Sequence, residues 1–147
     1  MERHTFKIEI DAPREKVWGI LWGTETYPQW TAAFNENSQV ETDWKEGSKV
    51  LFLDGEGNGM VSTIVKNNPP EYMSIKHIGI VKDGTEITEG EEVKKWAPAY
   101  ENYILKNVSD KTELVVEMDM ENEYKEYFVD TWPKALNKLK ELSEREG

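Results

Sequence analysis

Few residues in this chain could carry acid–base, nucleophilic or metal chemistry. It has no cysteine and two histidines, His4 and His77. The missing cysteines exclude disulfides, thiolate nucleophiles and cysteine-ligated metals. His4 falls in the opening strand pattern and reads as a surface residue. His77 alternates with Met73 and Ile75, which aims it at an interior groove, where a lone histidine is ordinarily a hydrogen-bonded packing residue. No Ser–His–Asp set can be nominated from spacing, and nothing matches HExxH. Glu101 shares a strand face with Tyr103 and Leu105, while Tyr100, Asn102 and Ile104 take the other. Turned outward, Glu101 is an exposed cross-strand residue. Turned inward, its carboxylate enters the groove and could bind a ligand amine or act as a general base. Glu86, Glu89, Glu91 and Glu92 lack the alternating pattern of a calcium loop and read as a solvated segment. Gly55, Gly57 and Gly59 are too close for a GxGxxG phosphate loop and precede a strand, so they read as a hairpin turn. No catalytic set, metal site or cofactor is expected.

The elements that must position these residues are short and separated by turn signals. Residues 4–10 alternate, with Phe6, Ile8 and Ile10 on one face, and read as a strand. Pro13 then suits a helix start, followed by Val17, Trp18, Ile20 and Leu21 at helical spacing. A second short helix is expected over 25–34. Strands follow at 38–44, 48–54, 60–66 and 72–80, in the even spacing of an antiparallel meander. Residues 81–97 are acidic, punctuated by glycine and anchored by Ile87, Val93 and Trp96, which predicts a mobile loop with a short ribbon at 85–88. Strands at 99–107 and 111–120 form a hairpin. Over 122–145, Tyr124, Phe128, Trp132, Ala135, Leu136, Leu139 and Leu142 make an apolar helical stripe. Pro133 predicts a kink, or a break and restart, near 129–133. The order β-α-α-β-β-β-β-β-β-α predicts an α+β fold: a curved antiparallel sheet of six or seven strands around a long C-terminal helix.

Composition sets the outer bounds. A chain of 147 residues is the size of one domain and can bury a sizeable core without disulfides or metal, so residues 1–147 are read as a single domain. The net charge of −11 repels phosphate backbones and anionic lipid, which argues against nucleic-acid binding. No apolar stretch suggests a signal peptide or membrane insertion, so a cytoplasmic location is expected.

Several local pieces resemble the START-like helix-grip superfamily (SRPBCC), in the branch that shares the domain of the Hsp90 ATPase activators. They are Asp11-Ala12-Pro13 with Val17-Trp18, Trp30 at the end of the second helical segment, and the turn Trp44 to Val50. Thr112-Glu113-Leu114 and the run from Trp132-Pro133 to Leu139 complete the set. At 147 residues the separate amino-terminal domain of Hsp90 co-chaperones is not expected within this sequence. Taken alone, the aromatic residues describe a well-packed core. The resemblance implies a cavity between sheet and helix that holds a small apolar or aromatic molecule, lipid- or polyketide-like, without catalysis. Its candidate lining is Trp30, Phe34, Trp44, Phe52, Met60, Met73, His77, Trp96, Glu101, Tyr103, Met118, Phe128 and Trp132. The resemblance also allows a polyketide cyclase or aromatase using His77, Tyr103 or Glu101, a protein-interaction adaptor related to Hsp90 stress, and a homodimer.

Overall fold

The computed structural model describes residues 2–145. The chain runs β1 (Glu2–Ile10), α1 (Arg14–Trp22), α2 (Tyr27–Thr31), β2 (Gln39–Glu41), β3 (Lys49–Leu53), β4 (Gly59–Asn68), β5 (Tyr72–Lys82) and β6 (Thr85–Ile87). There follow α3 (Glu91–Lys94), β7 (Ala99–Val108), β8 (Lys111–Met120), a 3₁₀ turn (Asn122–Tyr124) and α4 (Lys125–Glu144). The antiparallel sheet has the order β1-β8-β7-β5-β4-β3-β2, and β6 adds to β5 off that path. The expected strands and the α+β helix-grip layout are therefore present, with the short 85–88 ribbon serving as β6.

Alternation builds the inner face of the sheet. Ile10, Val50, Ile64, Met73, Ile75, Tyr103, Leu105, Leu114 and Val116 all point into one core with Trp132, Ala135, Leu136 and Leu139 of α4. Helices α1 and α2 pack against the same helix. The turn after β1 is tied to β8 and to α4: Thr112 Oγ1 donates to the Ala12 carbonyl at 2.7 Å, and the Asp11 N–H donates to Glu144 Oε2 at 2.8 Å. Gly59 marks a close approach at the β3–β4 hairpin, since a Cβ there would lie 1.8 Å from the Phe52 carbonyl oxygen.

Three local expectations change. The strand expected at 38–44 ends at Glu41, because Trp44 takes a left-handed φ of 63°. The Thr42 hydroxyl accepts the Trp44 N–H at 3.2 Å, and Asn67 Nδ2 donates to the Trp44 carbonyl at 2.6 Å. Bulky residues seldom adopt this conformation, and here it turns the indole onto Trp22, 4.9 Å away. The segment 81–97, expected as a loop with a short ribbon at 85–88, holds a tight β5–β6 hairpin and also the short α3, anchored by buried Val93. Finally, α4 runs through Pro133 without the break and restart that was one of the two expected outcomes. Both Pro133 and Val129, whose carbonyl loses its helical partner, are exposed, so water can serve the freed group.

Candidate functional site

Two regions lie beneath α4. Around Trp132, in the third turn of the helix, the space is filled by rings. Trp132 stacks on Phe6 at 5.8 Å and meets Phe34 at 4.9 Å, Trp30 at 6.2 Å and Tyr103 at 6.3 Å. Their polar atoms are satisfied in place: Trp30 Nε1 donates to the Leu21 carbonyl at 3.1 Å, and Trp132 Nε1 faces Met118 Sδ at 3.1 Å. Under the N-terminal turns an open cleft of about 560 Å³ remains. Met60, Ile80, Ala99, Met118, Met120, Trp96 and Phe128 give it apolar walls, His77 contributes to them, and Glu92, Glu121 and Glu123 outnumber Lys95 among the charged lining groups.

The expected lining therefore divides. Met60, His77, Trp96, Met118 and Phe128 line the cleft together. Trp30, Met73, Tyr103 and Trp132 are buried in the core, with Phe34, Trp44 and Phe52 packed against it. Glu101 faces inward, one residue from the wall: its cross-strand partner is Met118, and His77 is its hydrogen-bond partner. Ile80, Ala99, Met120 and Tyr124 also line the cleft and were not in the expected lining: the first three stand at the ends of β5, β7 and β8, where alternation marks a face but not a cavity.

A chain of four polar side chains crosses the inner face. Ser62 Oγ lies 2.6 Å from His77 Nδ1, His77 Nε2 lies 3.1 Å from Glu101 Oε1, and the Tyr103 hydroxyl donates to Glu101 Oε2. Strand register builds it: Ser62 pairs with His77, His77 with Ala99, and Glu101 sits two residues along β7. A register shift between Val61 and Ser62 brings the serine to that position. The Tyr103 hydroxyl titrates well above the usual phenol range, through burial first and then the Glu101 charge and its hydrogen bond. Tyr27 is raised for the same leading reason, with the Glu101 charge adding to it.

At the cleft's rim, Asp119 receives Arg3 Nε at 2.8 Å and the Tyr100 N–H at 2.9 Å. Burial pushes the Asp119 carboxyl up, but the Arg3 and Tyr100 hydrogen bonds outweigh it and hold it below the usual range. Glu86 of the acidic segment pairs with Lys49 at 2.9 Å. Among the described residues, no cluster of three or more His, Asp or Glu is placed to hold a metal ion. Nor is any helix long and apolar enough to cross a membrane.

A long C-terminal helix held against a curved antiparallel sheet, with a cleft at one end of it, defines a helix-grip protein. More specifically, the chain belongs to the family of Activator of Hsp90 ATPase homolog 1-like proteins, whose model matches residues 11–144. Solved structures share the fold at low identity. The Aha1 dimer from Colwellia psychrerythraea is 19% identical with a TM-score of 0.75, covering 100% of both chains. Protein MLL2253 from Mesorhizobium loti is 14% identical with a TM-score of 0.75, covering 99% of each. CalU16 from Micromonospora echinospora is 20% identical with a TM-score of 0.66; the match covers 97% of this chain but spans only 65% of CalU16. A comparison with curated proteins gives no match.

Proposed function

We propose that this chain binds a small, largely apolar or aromatic molecule in the cleft between the sheet and the N-terminal turns of α4. The observation that carries this reading is the cleft itself: about 560 Å³, open to solvent, and walled by Met60, Met118, Met120, Trp96 and Phe128. That volume lies within the range of small-molecule sites, which are mostly apolar with a few polar groups. The three methionines supply flexible walls that adapt to ligands of different outline. Of the expected lining, Met60, His77, Trp96, Met118 and Phe128 border this cleft, while Trp30, Tyr103 and Trp132 fill one another's surroundings in the core.

A thermal-shift and native mass-spectrometry screen against fatty acids, aromatic polyketides and flavonoids tests the reading. A ligand at about 100 times its Kd should stabilise the protein by about 2.7 kcal/mol. Met118→Trp, which fills the cleft, should abolish that shift while leaving the fold intact. Absence of any binder across the three classes, or binding untouched by Met118→Trp, contradicts it.

A further inference from the structure

The two open edges of the sheet differ. At one end β2 pairs over only three residues, Gln39–Glu41, too short to template another strand. At the other, β1 pairs with β8 along all nine of its residues without a register shift. No strand among the described residues takes its second side. It contains no proline, glycine or bulge, devices that blunt an edge against pairing. Among the described residues, the one side chain that reaches its backbone is Lys140, which donates to the Glu9 carbonyl at 3.2 Å.

The side chains of β1 also stand apart from the rest of the chain. The protein carries a net charge of −11, yet on β1 Glu2 and Glu9 balance Arg3 and Lys7. Two copies can therefore approach here without the repulsion that their net charge imposes elsewhere. Arg3, Thr5, Lys7 and Glu9 stand exposed on the outer face, while His4, Phe6 and Ile8 are half-buried on the inner one. On that inner side apolar surface runs out to the edge, in a groove of about 370 Å³ between Phe6 and Ile8 of β1 and Pro133 and Leu136 of α4.

A second β1 can pair antiparallel with this edge about a two-fold axis. Inner faces stay on one side only where residues of like parity meet. Centring on Phe6 gives full overlap: Glu2 meets Ile10, Arg3 meets Glu9, His4 meets Ile8, and Phe6 meets its own copy. The Arg3–Glu9 pair then occurs twice. Within one chain Arg3 already binds Asp119 at 2.8 Å, and Glu9 binds Lys111 at 3.2 Å. The outer row across the axis thus runs Asp119, Arg3, then Glu9 and Lys111 of the second copy, alternating in sign throughout. Moving the centre to Thr5 shortens the overlap and sets Arg3 against Lys7. Moving it to Lys7 sets that residue against itself, and like charges directly opposite are destabilising.

We propose that β1 is a self-complementary docking edge, through which two copies of this chain join antiparallel about Phe6 into one continuous sheet. Backbone hydrogen bonds supply the attraction, and the paired Arg3 and Glu9 side chains fix the register. Phe6 and its copy meet over the groove beside α4. This inference stands independently of the reading of the cleft.

Analytical ultracentrifugation of the full chain tests it, from about 5 μM to about 1 mM and at low salt, where exposed charges are least screened. The wild type should move with concentration from the 17.1 kDa of one chain toward twice that mass. Arg3→Glu sets like charges at both pairs, and so does Glu9→Arg. Each alone should weaken association about 10-fold or more. An equimolar mixture of the two variants restores opposite charges at both pairs and should associate about as tightly as the wild type. Both positions are exposed, so each variant should melt close to the wild type. A chain that stays monomeric across the range overturns the inference. So does a dimer that neither variant weakens, or a mixture that associates no more tightly than its parts.

Discussion

One helix covers two unlike surroundings. From Trp132 to the end of α4, Trp132, Ala135, Leu136, Leu139 and Leu142 are all buried. Along the first turns and the 3₁₀ turn before them, Tyr124, Tyr127 and Val129 stand 52%, 47% and 46% exposed. The apolar stripe continues through both. What differs is the neighbourhood: β1, α1 and α2 pack against the helix, while on one side its first turn borders the cleft through Phe128. Packing is spent on stability in one half and left incomplete in the other, which is where a ligand can complete it.

The largest effect expected from breaking this contrast is in the filled half. Trp132→Ala should cost about 3–5 kcal/mol, the usual range for truncating a buried large aromatic. Phe128→Ala, four residues earlier on the same stripe, should cost less than about 1.5 kcal/mol, since Phe128 already borders open space. Urea denaturation of both variants checks the difference, and equal losses would erase the distinction between the halves.

A smaller effect follows from pH. Tyr103 and Tyr27 belong to the filled half, and their phenols are raised by burial and by the Glu101 charge. A group whose folded pKa is raised stabilises the fold fully below its unfolded value, and that stability drains away as pH climbs toward the folded pKa. The melting temperature should therefore begin to fall near pH 10, the ordinary phenol value. Tyrosinate absorbance at 295 nm should show the exposed tyrosines ionising before the chain unfolds. Double replacement by phenylalanine should flatten the alkaline limb.

The smallest effect is at the rim. Asp119 is held below its usual range, so its pairing with Arg3 contributes above the unfolded carboxylate value near 4 and is lost as pH falls through the lower folded value. Asp119→Asn should cost about 0.2–1 kcal/mol at pH 7, and the cost should shrink as the pH is lowered below 4, measured by thermal denaturation.

Much of this was readable in the residues. The strands at 72–80, 99–107 and 111–120 and the stripe of α4 rest on strong periodicity, and each is found within a few residues of its expected bounds. His77 also lies on the face that alternation with Met73 and Ile75 indicates. The inward turn of Glu101 was not decidable, because both faces of β7 carry apolar neighbours. Ser62 gave no signal, since its meeting with His77 depends on a register shift that no local pattern encodes. Trp44 misled for a related reason: its alternation with Val40 and Thr42 fits a strand, but tertiary hydrogen bonds bend the backbone away. The position of the cleft was hidden most deeply. It depends on where α4 runs out of neighbours, a property of the assembled layers that composition cannot carry.

The most direct measurement is an amide NMR titration of the ¹⁵N-labelled protein with the best binder from the screen. Shifts concentrated at Met60, Trp96, Ala99, Met118 and Phe128, with Trp30, Met73 and Trp132 unmoved, are the predicted result. Shifts centred on those core residues, or spread evenly over the sheet, would contradict a cleft-bound ligand.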